Sequence, residues 1–552
     1  MKLLRNIRIA AFACVATVAA ANLSSCDDML DLKPSGQFTD DQITNETIDG
    51  LMSAAYAGLE AHFFGNNESF SGPVTNWVFD VRSDDAYKGG GGVSMEANIH
   101  QLEISNLTSD NATNLNKWRN NYYAISRVHQ SMRAIENAEN LDNKNSLLCE
   151  LKVLRAYFYF DLIRVFERIP YIEENDDAKT KRYDEFTRDQ IFGKIKKDLT
   201  DAWQGLPESQ SQPGRFNKYV AAALMAKVCA FTSDWDGVEE YAGYVINSDK
   251  YELYDNFGDL SKIEFNNKKE SIMAIQFSTA NNNAHINWSN LLNTTYSEGN
   301  VFGSGDDFFL GSQNLVNAFR TDSKGLPYLD GSFNSENVTS DYQGNVDPRL
   351  DFTVGRIGFP FRGHTYTSKW CRAYDVYGEY SGKKGLIDPS SADMVQGFPW
   401  GASSLNFCLI RYADILLLKA EALIEKNSDL EQARKLINQV RAKAARSVDS
   451  SYSPVDVDPI KASYKVGEYP AEGWTQDYAR RAVRMERRLE LAMEGNRWFD
   501  LVRWGAVVDV MNEYFRTESK LRSYYDGATI TSDEIFLAIP LSEVQNSGGL
   551  YV

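Results

Sequence analysis

Histidine is scarce. Five residues, at positions 62, 100, 129, 285 and 364, serve a chain of 552, and none stands at ligand spacing from another or from a cysteine, which argues against a zinc centre or an H-E-x-x-H metalloprotease. The six cysteines (Cys14, Cys26, Cys149, Cys229, Cys371 and Cys408) include no C-x-x-C pair, so neither a dense disulfide framework nor a dithiol redox motif is present. There is no G-x-S-x-G elbow, and the run from Gly89 to Gly92 lacks the Lys and Ser/Thr of a phosphate loop. Proline is thin at 14 residues and no Pro- or Gly/Ser-rich linker divides the chain, which favours one large body over a string of domains. Basic residues are outnumbered, 58 against 76 acidic, for a formal charge of -18. That field repels phosphate backbones, and no Lys/Arg tract with interleaved aromatics offsets it. The mean hydropathy of -0.42 excludes a multi-span membrane protein.

What the chain does have begins at its N-terminus. Lys2, Arg5 and Arg8 precede an apolar run from Ile9 to Ala21, the pattern of an export signal rather than a spanning helix. The run ends in Leu23-Ser24-Ser25-Cys26, which resembles a lipoprotein cleavage box and implies a lipid anchor on Cys26. Residues 1–25 are therefore read as a signal peptide and 26–43 as an acidic tether.

Helical periodicity organises 44–250 and 407–552. Apolar residues recur at three- and four-residue steps over Thr44 to Ala61, Lys117 to Ala138, Asn145 to Glu167, Arg188 to Leu206, Phe216 to Ser233 and Trp235 to Ser248. The hairpin around Leu224 to Trp235 is echoed by Leu417 to Leu430 and the helix 429–446, a degenerate pairing similar to tetratricopeptide repeats. About 190 residues separate the two units, longer than any ordinary loop. The fold class expected is mainly α: a tetratricopeptide-like scaffold carrying a loop-rich lobe over 251–406.

That lobe is rich in Asn, Gly, Ser and polar-tipped aromatics, more than its little regular structure can bury. Aromatic faces stack on sugar rings, although core packing is the commoner role for any one of them. Residue chemistry and loop position nominate Trp77, Asp84, Asp85, Trp288, Tyr296, Arg362, Trp370 and Trp400 as ligand-binding residues. Asp84/Asp85 and Asp306/Asp307 are conceivable glycosidase acids, but adjacent acids on one strand point apart, so no catalytic residue, cofactor or metal is assigned.

The densest stretch is Arg484 to Trp504. Met485, Leu489, Ala492 and Met493 form an apolar stripe, Gly495 suits a left-handed cap, and a second short helix carries Trp498 to Trp504. Arg487, Arg488, Glu490, Glu494, Arg497, Asp500 and Arg503 are expected to pair structurally. This stretch, with RYADILLLKAEALIE at 411–425, LRAYFYFDLIRVFERIP at 154–170, FNKYVAAALMAKVCAF at 216–231 and IFLAIPLSEVQNS at 535–547, resembles the SusD/RagB family of Bacteroidetes outer-membrane lipoproteins. The acidic run after Cys26 is similar to that family's surface-export signal. The resemblance implies a glycan-binding lipoprotein, not an enzyme, facing the cell exterior and acting as the lid of a SusC-like TonB-dependent barrel transporter. A peptide-binding RagB-like role and a helical-repeat interaction scaffold are the alternatives.

Overall fold

The computed structural model describes residues 45–60, 77–138, 141–280, 285–296, 301–447 and 463–552. The signal run, Cys26 and the tether lie outside these residues. Helices dominate: α1 (Asn45–Tyr56), α2 (Trp77–Val81), then strand β1 (Ala86–Gly89), α3 (Ala97–Glu103), α4 (Ala112–Asn137), α5 (Lys144–Val165), α6 (Arg188–Gly205), α7 (Lys218–Phe231) and α8 (Trp235–Ile246). Strands β2 (Ser271–Ile275) and β3 (Phe308–Gly311), α9 (Gln313–Ala318) and strand β4 (Phe407–Arg411) follow. The chain then forms α10 (Tyr412–Glu425), α11 (Leu430–Arg446), α12 (Gln476–Leu491), α13 (Arg497–Arg503) and α14 (Val507–Glu518).

Local chemistry sets the ends. Thr187 and Gln190 close a capping box on α6, while Asn217, Asp234, Asp429 and Thr475 each accept backbone N–H bonds at the start of α7, α8, α11 and α12. α5, α7 and α10 are buried on nearly every side and sit inside the stack, with the few charged residues among them paired. α4 packs on α5, α5 on α6, α6 on α7, α8 on both α7 and α10, and α10 on α11 and α12. The two hairpins separated in sequence are thus direct neighbours.

The neck of the intervening lobe explains how. β2 pairs antiparallel with β4, from Ser271 opposite Arg411 to Ile275 opposite Phe407, so the chain leaves and re-enters the scaffold at one place. β1 pairs antiparallel with β3, Ala86 opposite Gly311, tying the N-terminal part to the lobe. The stretch around Asp84 to Gly92, expected to be a loop, is therefore partly strand, and Ala86 to Lys88 are fully buried.

The stretch from Arg484 to Trp504 is the seam between these parts. Gly495 has φ +78° and ends the turn after α12. Trp498 is fully buried, with the Arg82 guanidinium 4.1 Å from its ring centre. Trp504 is half-buried, its Nε1 donating to Glu421 at 2.6 Å. Glu490 accepts from Arg349 at 2.9 Å, Arg411 at 2.6 Å and Lys443 at 2.6 Å, all inaccessible to solvent or nearly so.

Candidate functional site

The segment Met394 to Ser403 folds back on itself: Val395 N–H donates to Ala402 at 2.9 Å, and Asn287 N–H crosses to Ser403 at 2.9 Å. Its tip reads Gly397-Phe398-Pro399-Trp400-Gly401, with a cis Phe398–Pro399 bond. Gly401 has φ +74°, and a Cβ there would meet Thr294 Cγ2 at 2.1 Å; a Cβ on Gly303 would meet Trp400 Cε3 at 2.4 Å. Only glycine lets the tip close down and lets the Trp400 indole lie across the segment at Gly303.

The result is an aromatic platform. Phe398 is 65% exposed and stands between Trp288, 6.2 Å away at 69°, and Trp400, 6.5 Å away at 89°. Trp288 is held by Ile286, Val395 and Ala402, which form a small core of their own under the tip. A second patch surrounds Tyr296, 41% exposed, with the Arg372 guanidinium 5.0 Å from its ring centre. Trp370 is half-buried, edge-on to Phe302, Phe361 and Tyr366, and its carbonyl accepts from Tyr296 N–H at 3.0 Å.

Four of the nominated residues, Trp288, Tyr296, Trp370 and Trp400, are thus at least partly at the surface of the lobe. Asp84 and Asp85 are not. Both are buried, Asp84 bonded by Arg497 at 2.7 and 2.8 Å and Asp85 by Arg488 at 2.8 Å. Burial would raise the Asp84 carboxyl, but Arg488 and Arg497 outweigh it and hold it at about 2, whereas burial and the Asp84 charge push Asp85 up. These acids stitch β1 to the seam and cannot meet a ligand. Arg362 is likewise buried, donating to the Lys383 carbonyl at 3.0 Å. Trp77 opens α2, which packs on β1 and α13. Phe398 is the residue that chemistry-based reading of Trp and Tyr passes over; its signal is an aromatic held between turn-formers in GFPWG.

The imagined acid pair is also divided by the fold. Asp306 ion-pairs with Arg372, while Asp307 is buried, accepting from Ser381 Oγ and from Arg372 N–H at 2.9 Å, and burial pushes its carboxyl up to about 7.

The profile of a family described as "SusD family" matches residues 269–551, more than half of the chain, and one described as "Starch-binding associating with outer membrane" matches 66–229. The chain belongs to the SusD family. SusD-like proteins of Bacteroides ovatus (25% identical, covering 94% of this chain and 87% of that protein) and of Formosa agariphila (P2, 25%, 88% and 89%) are similar along nearly their whole length. Among solved structures, a SusD-like carbohydrate-binding protein of Bacteroides fragilis superposes with a TM-score of 0.71 at 22% identity, covering 92% of this chain and 99% of that one. Surface glycan-binding protein A of Bacteroides thetaiotaomicron, in complex with laminarihexaose, does so at 0.70 and 20%, again over 92% and 99%. The tetratricopeptide-like helical fold is theirs. SusD-family proteins are carbohydrate-binding proteins rather than enzymes, and the family is associated with the outer membrane.

Proposed function

We propose that the chain captures oligosaccharides outside the cell on the Trp288–Phe398–Trp400 platform and hands them to a SusC-like TonB-dependent barrel, over which it sits as a lid. The observation that carries this reading is Phe398, a large apolar ring 65% exposed and flanked by two indoles. Aromatic rings grouped at one loop tip make the kind of contiguous apolar patch that marks a ligand-binding surface. Tyr296 and Trp370 extend the contact, and residues 251–406 carry the ligand while 44–250 and 407–552 form the scaffold. In the same reading lipid on Cys26 holds the protein to the outer membrane, facing the exterior. Laminarihexaose, present in one structural neighbour, is the first ligand to try.

Phe398→Ala and Trp400→Ala are each expected to weaken oligosaccharide binding by about 1–3 kcal/mol, on the scale of ring stacking on nucleobases. Isothermal titration against neutral glucans, other glycans and peptides reads this directly, with the recovered ligand analysed for cleavage. Binding to peptides alone, or affinity unchanged in both variants, sinks the platform. Recovery of the barrel with this protein from mildly solubilised outer membranes tests the lid, which isolation as a free monomer contradicts.

A further inference from the structure

Beneath the aromatic tip lies a cleft that the platform does not use. Asn287, Ser289 and Asn290 of the lobe, Phe407 of β4, and Met493 with Glu494 of the seam are among its walls, so lobe and seam both contribute. Side chains on one short segment separate it from the platform: Trp288 packs against Phe398, while Asn287 lines the cleft and donates to the Leu405 carbonyl at 2.8 Å. The cleft has a volume of about 100 Å3. One water needs roughly 10–15 Å3 on the same scale, so the space suits one small ring and not a chain.

Its chemistry narrows the ligand further. Lys384 Nζ is committed to Glu494 at 2.5 Å and to the carbonyls of Glu490 and Ala492 at 3.1 and 2.9 Å. Arg411 grips Glu494 at 2.8 and 2.9 Å. Both cations are occupied, so an anion finds no charge to pair with, and transferring an unpaired charge into such a site is expensive. Ser289, Asn290 and Asn406 are neutral. Asn290 gives an N–H to Gly385 at 2.9 Å, Ser289 Oγ donates to Asn287 at 2.6 Å, and Asn406 gives an N–H to Gln276 at 3.0 Å. Each keeps capacity for a further hydrogen bond. Beside them stand Leu260, Phe309, Leu405, Phe407 and Met493. Apolar walls with a few neutral hydrogen-bonding groups match a ring with C–H faces and a hydroxyl edge.

We propose that this cleft is a second carbohydrate site, taking one neutral hexose-sized ring independently of the oligosaccharide platform above it. The proposal deepens the glycan-capture reading and rests on it for the class of ligand. Cys408 supplies a reporter: it lines the cleft half-buried, whereas Cys149, Cys229 and Cys371 are buried. Burial pushes its thiol up to about 11, so alkylation is followed at alkaline pH.

The test titrates the purified full chain with D-glucose, D-galactose and D-mannose by calorimetry, and follows iodoacetamide labelling of Cys408 by peptide mass. One hexose is expected to bind and to slow labelling, in wild type and in Trp400→Ala alike. Ser289→Phe, placed at the half-exposed mouth, is expected to weaken that binding roughly tenfold or more, a change of about 1.4 kcal/mol; Asn406→Leu serves if the first variant fails to fold. No hexose binding, or binding that Trp400→Ala abolishes, overturns the proposal. Oligosaccharide binding without hexose binding defeats the cleft alone, and hexose binding without oligosaccharide binding defeats the platform alone.

Discussion

Replacing Glu490 by Ala is expected to cost about 3–5 kcal/mol of folding free energy, the range for removing one partner from a buried ion pair. Glu490 is fully buried and faces three cations, Arg349, Arg411 and Lys443. Each has one other carboxylate partner or more: Arg349 bonds Asp347 at 2.7 Å and Glu486 at 2.8 Å, while Arg411 and Lys443 share Glu270 at 2.9 Å. Arg441 also draws on Glu486, and Lys384 and Arg411 share Glu494, so without Glu490 five cations face four carboxylates and one positive charge is left uncompensated where water cannot reach it. The elements joined there are α11, α12, β4 and the segment around Arg349, so the loss falls on the seam between scaffold and lobe. Glu490→Gln is expected to be about as damaging, because its amide N–H groups would face cations. Glu431→Ala, which removes an exposed partner of Arg434, is the control and is expected to change little. Urea unfolding of the three variants decides it; a Glu490→Ala protein as stable as the control would show that the charges are not what holds the seam.

That seam also marks what the sequence could disclose. Periodicity placed most of the long helices to within a few residues, Arg188 to Leu206 being expected where α6 spans Arg188–Gly205, because capping and apolar spacing are local facts; α12 starts at Gln476, eight residues before the stretch read from Arg484. The stacking of the α7–α8 and α10–α11 hairpins was legible as a repeat, and β2 with β4 supplies the neck that lets α8 meet α10. Non-local pairing was not legible. Asp84 and Asp85 look like surface acids because their partners, Arg488 and Arg497, lie some four hundred residues away. Gly89 looks like a flexible loop because β3, its partner strand, belongs to another part of the chain. In the lobe, aromatic content pointed to exposed rings without separating Trp288 and Trp400, partly at the surface, from Tyr366, Tyr377 and Tyr380, which are buried. Only the fold of the GFPWG tip makes Phe398 the most exposed ring of the group.

Acid is expected to unfold the protein steeply below about pH 4, and the sign follows from the seam's carboxylates. Burial alone would raise Asp84, Asp161, Asp414, Glu490, Glu494 and Asp500, but neighbouring Lys and Arg residues outweigh it and hold all six below their ordinary values. A carboxylate that binds its proton more weakly folded than unfolded stabilises the fold above its unfolded pKa, and that contribution is lost as pH falls through the folded one. For Asp84, a shift from 3.8 to about 2 corresponds to about 2 kcal/mol. Several such groups together rival the roughly 5–15 kcal/mol by which a folded protein is stable. Asp307 and Glu518 act in the opposite sense. Burial, the largest cause for each, pushes both up to about 7, so the folded state favours their neutral forms and loses stability as pH rises from about 4 through 7. Stability is therefore expected to peak near pH 5, falling sharply on the acid side and gently on the other. Asp307→Asn, which has no proton to lose, is expected to make the gentle limb shallower, with the Glu518 share remaining, and to leave the steep one. Guanidinium midpoints between pH 2 and pH 8 measure both: a midpoint holding level down to pH 2 contradicts the ion-pair account, and a decline above pH 5 that persists unchanged in Asp307→Asn removes Asp307 from it.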